Sequence, residues 1–110
     1  LMLANNYALY LLDAGDARAA RTLHRDTLRR SLAVFADHPF VRSELHFTHG
    51  KILAAQGERL AAREEMAAAL QLRSEVIGAD KPETQEIAKA LAAWYTLGQD
   101  DTREVIFEFL

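Results

Sequence analysis

The sequence predicts an all-α domain of stacked helix-turn-helix units, three hairpins and six helices in all. Apolar residues recur at steps of three and four along most of the 110-residue chain, the spacing that places side chains on one helical face. Gly15, Gly57 and Gly98 punctuate that pattern at intervals of 42 and 41 residues. A shift of 42 sets Ala8 on Gly50, Leu11 on Leu53, Ala20 on Ala62 and Leu28 on Leu70. Small residues at such positions let two helices approach closely. A period near 40 residues is the signature of a solenoid, in which a hairpin buries its apolar face only by stacking on the next.

The first hairpin opens with a helix over residues 1–14, whose stripe is Leu3, Tyr7, Leu11 and Ala14. Gly15 ends it, and Asp16 is placed to cap a second helix from Ala17 to about Phe35, because its carboxylate can accept from the free amides of the first turn. Ala20, Leu23, Thr27, Leu28 and Leu32 form the buried stripe of that helix. Pro39 disfavours helical geometry at His38 yet suits the first turn of a new helix, so the second hairpin starts there. Its first helix carries Leu45, Thr48, His49, Ile52 and Leu53 on one face. Gly57 closes that helix, and Glu58 stands where a carboxylate favours a helix start. The next helix, Arg59 to Ile77, presents Ala62, Met66, Ala69, Leu70, Arg73, Val76 and Ile77 at helical spacing. Gly78 and Asp80 end one helix and begin another, which carries Pro82 and Glu83 in its first turn, reaches Leu97, and includes Ile87, Leu91, Trp94 and Tyr95. Beyond Gly98, Asp100 or Asp101 caps a last helix with Val105, Ile106, Phe109 and Leu110 on one face. EVIFEFL has strand-like composition, but its place in the repeat predicts helix. The repeats therefore run over about 1–36, 39–78 and 81–110, within one domain.

With half of its 110 residues hydrophobic, the chain suffices for one domain with a modest core. A net charge of -3 offers no global basic field for nucleic acid or an anionic membrane. Cysteine is absent, which excludes disulfides and thiolate metal sites. No apolar run reaches the roughly 20 residues that span a bilayer. Leu1-Met2-Leu3 has no signal-peptide character and reads as the middle of a helix, so the expectation is a fragment of a larger protein. Ten arginines against three lysines, with abundant alanine, point to a GC-rich bacterial genome.

The segment LANNYALYLLDAGDARAA, the DHP at Asp37 to Pro39 and the glycine-led helix starts resemble tetratricopeptide repeats of the longer kind found in kinesin light chains and many bacterial signalling proteins. Those units run to about 42 residues, against about 34 for the basic repeat. The resemblance covers nearly the whole chain. The third copy departs from it, with Arg103 where the pattern has the small residue seen at Ala20 and Ala62. It implies a right-handed α-solenoid whose first helices line a concave side that receives an extended peptide or partner helix. On that basis the peptide-binding side comprises Asn5, Asn6, Leu9, Leu12 and Asp13, then Glu44, Phe47, Thr48 and Lys51, then Gln85, Lys89, Ala92 and Tyr95. An asparagine there can donate to and accept from a peptide backbone whatever its side chains. The carboxylate clamp of chaperone-binding repeats is not reproduced, and Glu44 would repel a terminal carboxylate.

Other polar groups favour structural roles. His46 and His49 share a helix at a spacing that suits a metal, but no third ligand accompanies them, and His49 fits better as a packed interface residue, so neither a metal nor a cofactor is expected. Arg18, Arg21, Arg25 and Arg29, with Arg30 beside them, form a stripe interrupted by Asp16 and Asp26 and read as a solvated face. Glu64 and Glu65 point in different directions on a helix and read as surface charges. The apolar ends, Leu1 to Leu3 and Val105 to Leu110, predict self-association or loose ends. The chain is thus read as a non-enzymatic protein-interaction scaffold of a cytoplasmic, bacterial signalling or regulatory protein, with no nucleic-acid or membrane partner. The second reading is a sensory or dimerisation arm, with Trp94, Tyr95 and Phe47 lining a small-ligand pocket.

Overall fold

In the computed structural model, residues 2–98 are described, with side chains from 3 to 93. The described chain is all helix and turn: α1 (Met2–Asp13), α2 (Ala17–Val34), α3 (Pro39–Ala55), α4 (Arg59–Ile77) and α5 (Pro82–Gly98). The sixth helix expected after Gly98 lies outside the described residues.

Local chemistry accounts for most boundaries. Gly15 and Gly57 adopt φ of 88° and 79°, the left-handed geometry that other residues rarely take, and each closes its helix within a short link. The Asp16 carboxylate accepts from the Ala19 amide at 3.0 Å, which satisfies one free donor at the start of α2. Pro39 occupies the first turn of α3. Glu58 stands at the start of α4 as expected; its side chain makes no cap hydrogen bond and pairs with Arg21 at 2.8 Å. At the start of α5, Thr84 donates from Oγ1 to the Gly78 carbonyl at 2.8 Å, tying the helix to the turn before it.

Helices adjacent in sequence pack together, α1 on α2 and most extensively α3 on α4, while α2 also packs on α3 and α4 on α5. Close approach of α3 and α4 depends on Gly50, where an added Cβ would stand 2.7 Å from Met66 Cγ and 3.4 Å from the Ala62 carbonyl oxygen. Two apolar clusters result. Ala8, Ala20 and Ile52 join α1, α2 and α3, with Leu11, Leu12 and Leu23 against them. Phe47, Met66, Ala69, Leu70, Ile87, Ala88 and Leu91 join α3, α4 and α5.

Burial follows the internal register. Asn5, Phe47 and Ala88 are buried at successive intervals of 42 and 41 residues, and so are Ala8, Gly50 and Leu91. The pair Ala20 and Ala62, fully buried in α2 and α4, repeats at 42 residues. Val76, expected on the buried stripe of α4, is 42% exposed. Its stripe ends instead at Arg73, only 1% exposed despite its charge.

Candidate functional site

The residues expected to face a ligand divide into two groups. Asn6, Asp13 and Lys89 are exposed, and Leu9, Leu12, Lys51 and Gln85 are half-buried. Leu12 packs at the edge of the first apolar cluster. Lys51 places Nζ 4.1 Å from the centroid of the Phe47 ring, and Gln85 donates from Nε2 to the Ala79 carbonyl at 2.7 Å. Asn5, Phe47 and Thr48 belong to the interior instead, at 1%, 5% and 2% exposure. Phe47 packs with Met66, Leu70 and Leu91 in an apolar cluster. Glu44 is half-buried and committed to Arg73. The side chains of Trp94 and Tyr95 lie outside the described residues.

What the interior contains in their place is a polar cluster between the hairpins. His24 of α2 donates from Nε2 to Asn5 Oδ1 of α1 at 3.0 Å and stacks on His49 of α3, ring centroids 5.8 Å apart at 24°. Glu65 of α4 accepts from His46 Nδ1 at 2.6 Å and lies 3.5 Å from His49 Nδ1. Glu65 is therefore turned inward beside two imidazoles, whereas Glu64 next to it is exposed as expected. Burial, followed by repulsion from His49, lowers the His24 pKa to about 4 despite the pull of Glu65. For Glu65 burial acts upward, but the hydrogen bonds and charges of His46 and His49 outweigh it and bring the carboxyl down to about 2. A neutral imidazole and an ionised carboxylate coexist here. Among the described residues no histidine and carboxylate group has the geometry of a metal site. The cluster joins three helices electrostatically and holds His24 in its neutral form.

The sequence carries a signal for this cluster. A shift of 42 sets Asn5 on Phe47 and His24 on Met66, so a hydrogen-bonded polar pair stands where the next hairpin has an apolar one.

A second buried charge joins α3, α4 and the start of α5. Arg73 donates from Nε to Ser43 Oγ at 2.8 Å, from one terminal nitrogen to the Glu83 carbonyl at 3.3 Å, and from the other to the Glu44 carboxylate. Its guanidinium also lies 4.2 Å from the centroid of the Phe40 ring. Each of its three nitrogens is thus engaged within the fold.

Among the described residues the surface carries recesses open to solvent. A groove of about 480 Å³ is lined by Leu3, Ala4 and Tyr7 of α1 with Leu23 of α2, all apolar or aromatic. A cleft of about 250 Å³ between α3 and α4 is lined by Arg42, His46, Ala68, Gln71, Leu72 and Glu75. Among the described residues no helix is long and apolar enough to cross a membrane.

Family models, curated proteins and solved structures were compared with the chain, and none matches.

Proposed function

We propose that the chain is a tetratricopeptide-like interaction module, a right-handed solenoid of three hairpins, that binds an extended peptide or a partner helix along its first helices. One observation carries the reading. Helices α1 and α3 contact one another directly, and a shift of 42 sets Leu9 on Lys51, so Asn6, Leu9, Asp13 and Lys51, none of them buried, are read as one side. That side alternates an amide, an aliphatic group and charges of both signs, a mixture suited to a backbone with modest side-chain preferences. The periodic burial at Asn5, Phe47 and Ala88 supports the repeat architecture on which the reading depends. Recognition here rests on Asn6, Asp13, Lys51 and Lys89, since Asn5, Phe47 and Thr48 are interior.

The test is selection from a random-peptide display library on the chain, followed by affinity measurement of the enriched peptides. Enriched peptides should lose at least tenfold in affinity for an Asn6→Ala, Asp13→Ala, Lys51→Ala variant of unchanged helicity. Failure to enrich any sequence, or binding indifferent to the triple substitution, would overturn the proposal.

A further inference from the structure

The cleft of about 250 Å³ between α3 and α4 carries charges of opposite sign on its two walls. Arg42 and His46, one helical turn apart on α3, form one wall, and Ala68, Gln71, Leu72 and Glu75 of α4 form the other. The helices run antiparallel, since Ser43 meets Arg73 while Gly50 lies over Met66. Arg42 therefore lies toward the end that holds Gln71 and Glu75, and His46 toward Ala68.

The ionic groups of this cleft are not spent on one another. The guanidinium of Arg42 is half-buried, yet it makes no hydrogen bond or ion pair among the described residues. Arg21 and Arg73, by contrast, are held by Glu58 and Glu44. A cation that has lost part of its hydration without gaining a counter-ion is poised for one from outside. Across the cleft, Glu75 accepts only from Gln71 Nε2, at 3.3 Å, which leaves its second oxygen and the Gln71 carbonyl oxygen open. His46 gives Nδ1 to Glu65. The repeat does not demand this arrangement: a shift of 42 sets Ala4 on His46, Arg30 on Leu72 and Ala33 on Glu75, so the first hairpin keeps neither wall.

We infer that the cleft binds a free α-amino acid with an apolar side chain. The ligand carboxylate meets the Arg42 guanidinium, whose fork matches its two oxygens. Its ammonium group is met by the open oxygens of Glu75 and Gln71. The side chain rests on Ala68 and Leu72, where the short Ala68 leaves it room. A simple anion would face Glu75 and, behind His46, Glu65, and a simple cation would face Arg42. A zwitterion satisfies both walls. The volume lies below the roughly 300–1,000 Å³ of pockets for drug-sized molecules, in keeping with a ligand this small. The inference does not rest on peptide binding along Asn6 and Lys51, neither of which lines the cleft.

The test is calorimetric titration of the full chain with L-leucine, beside N-acetyl-L-leucine, which lacks the ammonium group, and L-leucinamide, which lacks the carboxylate. Saturable binding of L-leucine is expected at millimolar ligand, with each blocked derivative at least tenfold weaker. Arg42→Ala should weaken L-leucine at least tenfold and leave L-leucinamide as it was, whereas Glu75→Gln should weaken L-leucine and leave N-acetyl-L-leucine as it was. Asn6→Ala and Lys51→Ala should change nothing. Neither cleft side chain ties helices together, so both variants should keep the parent far-UV circular dichroism, and this is checked first. Absence of saturable L-leucine binding, or binding indifferent to Arg42→Ala, overturns the proposal. So does N-acetyl-L-leucine binding as tightly as L-leucine, since the cleft would then be an anion site.

Discussion

Arg73 of α4 donates from Nε to the hydroxyl of Ser43 on α3 at 2.8 Å, and this contact sits at the centre of a buried crosslink that also reaches Glu44 and the start of α5. A guanidinium with 1% exposure has surrendered its hydration, so the arrangement is tolerable only because each side of the fork meets an acceptor. Removal of the side chain takes away those bonds, the stem packing and the contact with the Phe40 ring together. Arg73→Ala is expected to cost about 3–5 kcal/mol in urea unfolding, comparable with breaking a buried ion pair. Glu44→Gln should cost less, on the order of 1 kcal/mol, because its side chain is about one-third exposed, at 34%, and the amide oxygen still accepts. If Arg73→Ala costs less than Glu44→Gln, the crosslink does not hold the three helices together.

Ser31 stands 42 residues before Arg73, at the corresponding place in the first hairpin, and is fully buried. Its Oγ has no hydrogen-bond partner. A buried hydroxyl without a partner bears a desolvation cost that a methyl group does not, and alanine is the better helix former. Ser31→Ala is therefore expected to stabilise the chain by roughly 0.5–1 kcal/mol, seen as a higher urea midpoint with an unchanged slope. A lower midpoint would mean that the hydroxyl is satisfied in solution.

The cluster around His24 sets the response to acid. The groups facing it are Asn5 from α1, His46 and His49 from α3, and Glu65 from α4. The unfolded chain protonates His24 near 6.5, whereas the folded chain resists protonation to about 4. Below pH 6.5 the unfolded state thus binds the extra proton, so this contribution is complete above 6.5 and is lost as pH falls toward 4. It amounts to at most roughly 3 kcal/mol. Glu65, ordinarily near 4.5 and held at about 2, adds a second loss over that lower interval. Unfolding measured from pH 8 to pH 3 should show stability falling below about 6.5. The double variant Asn5→Leu, His24→Met, which copies the apolar character of Phe47 and Met66, should flatten the curve between 6.5 and 4 while leaving the later fall. An identical curve for variant and parent would assign the acid response to other groups.

Helix positions were largely legible in the sequence, and the direction of several polar side chains was not. Arg59 to Ile77 was readable to the residue because Gly57 and Gly78 bound a continuous run of good helix formers. Asp16 was readable as a cap because that role is decided within one turn. The repeat resemblance places Asn5 toward a peptide, yet it is interior, because its partner His24 lies on a different helix and periodicity within α1 carries no information about it. Helical direction alone makes Glu65 a surface charge for the same reason: His46 and His49 reach it from α3. Periodicity gives the angle of a side chain about its own helix axis, whereas burial depends on which neighbour crosses at that angle. Comparison of the two copies supplies part of what is missing, since Asn5 and His24 change together relative to Phe47 and Met66.

Gly50 offers a test of that comparison. The corresponding residue of the first hairpin is Ala8, fully buried, so a Cβ at this place is compatible with the packing of two such helices. What obstructs it in the second hairpin is Met66, whose Cγ would stand 2.7 Å from the new atom, with the Ala62 carbonyl at 3.4 Å. Alanine gains up to about 1 kcal/mol over glycine in helix propensity, but overpacking of this kind costs roughly 1–3 kcal/mol. Gly50→Ala should therefore be destabilising overall, by about 1 kcal/mol, in thermal or urea unfolding. Met66→Ala should cost roughly 2–5 kcal/mol alone, through the cavity that it leaves among Phe47, Leu70 and Leu91. In the double variant the obstruction is gone, and the new methyl group occupies part of that cavity. The combined loss should fall below the sum of the single losses by at least about 0.5 kcal/mol, the coupling expected of residues in contact. Strict additivity would show that Gly50 is retained for a reason other than the approach of α3 to α4 over Met66.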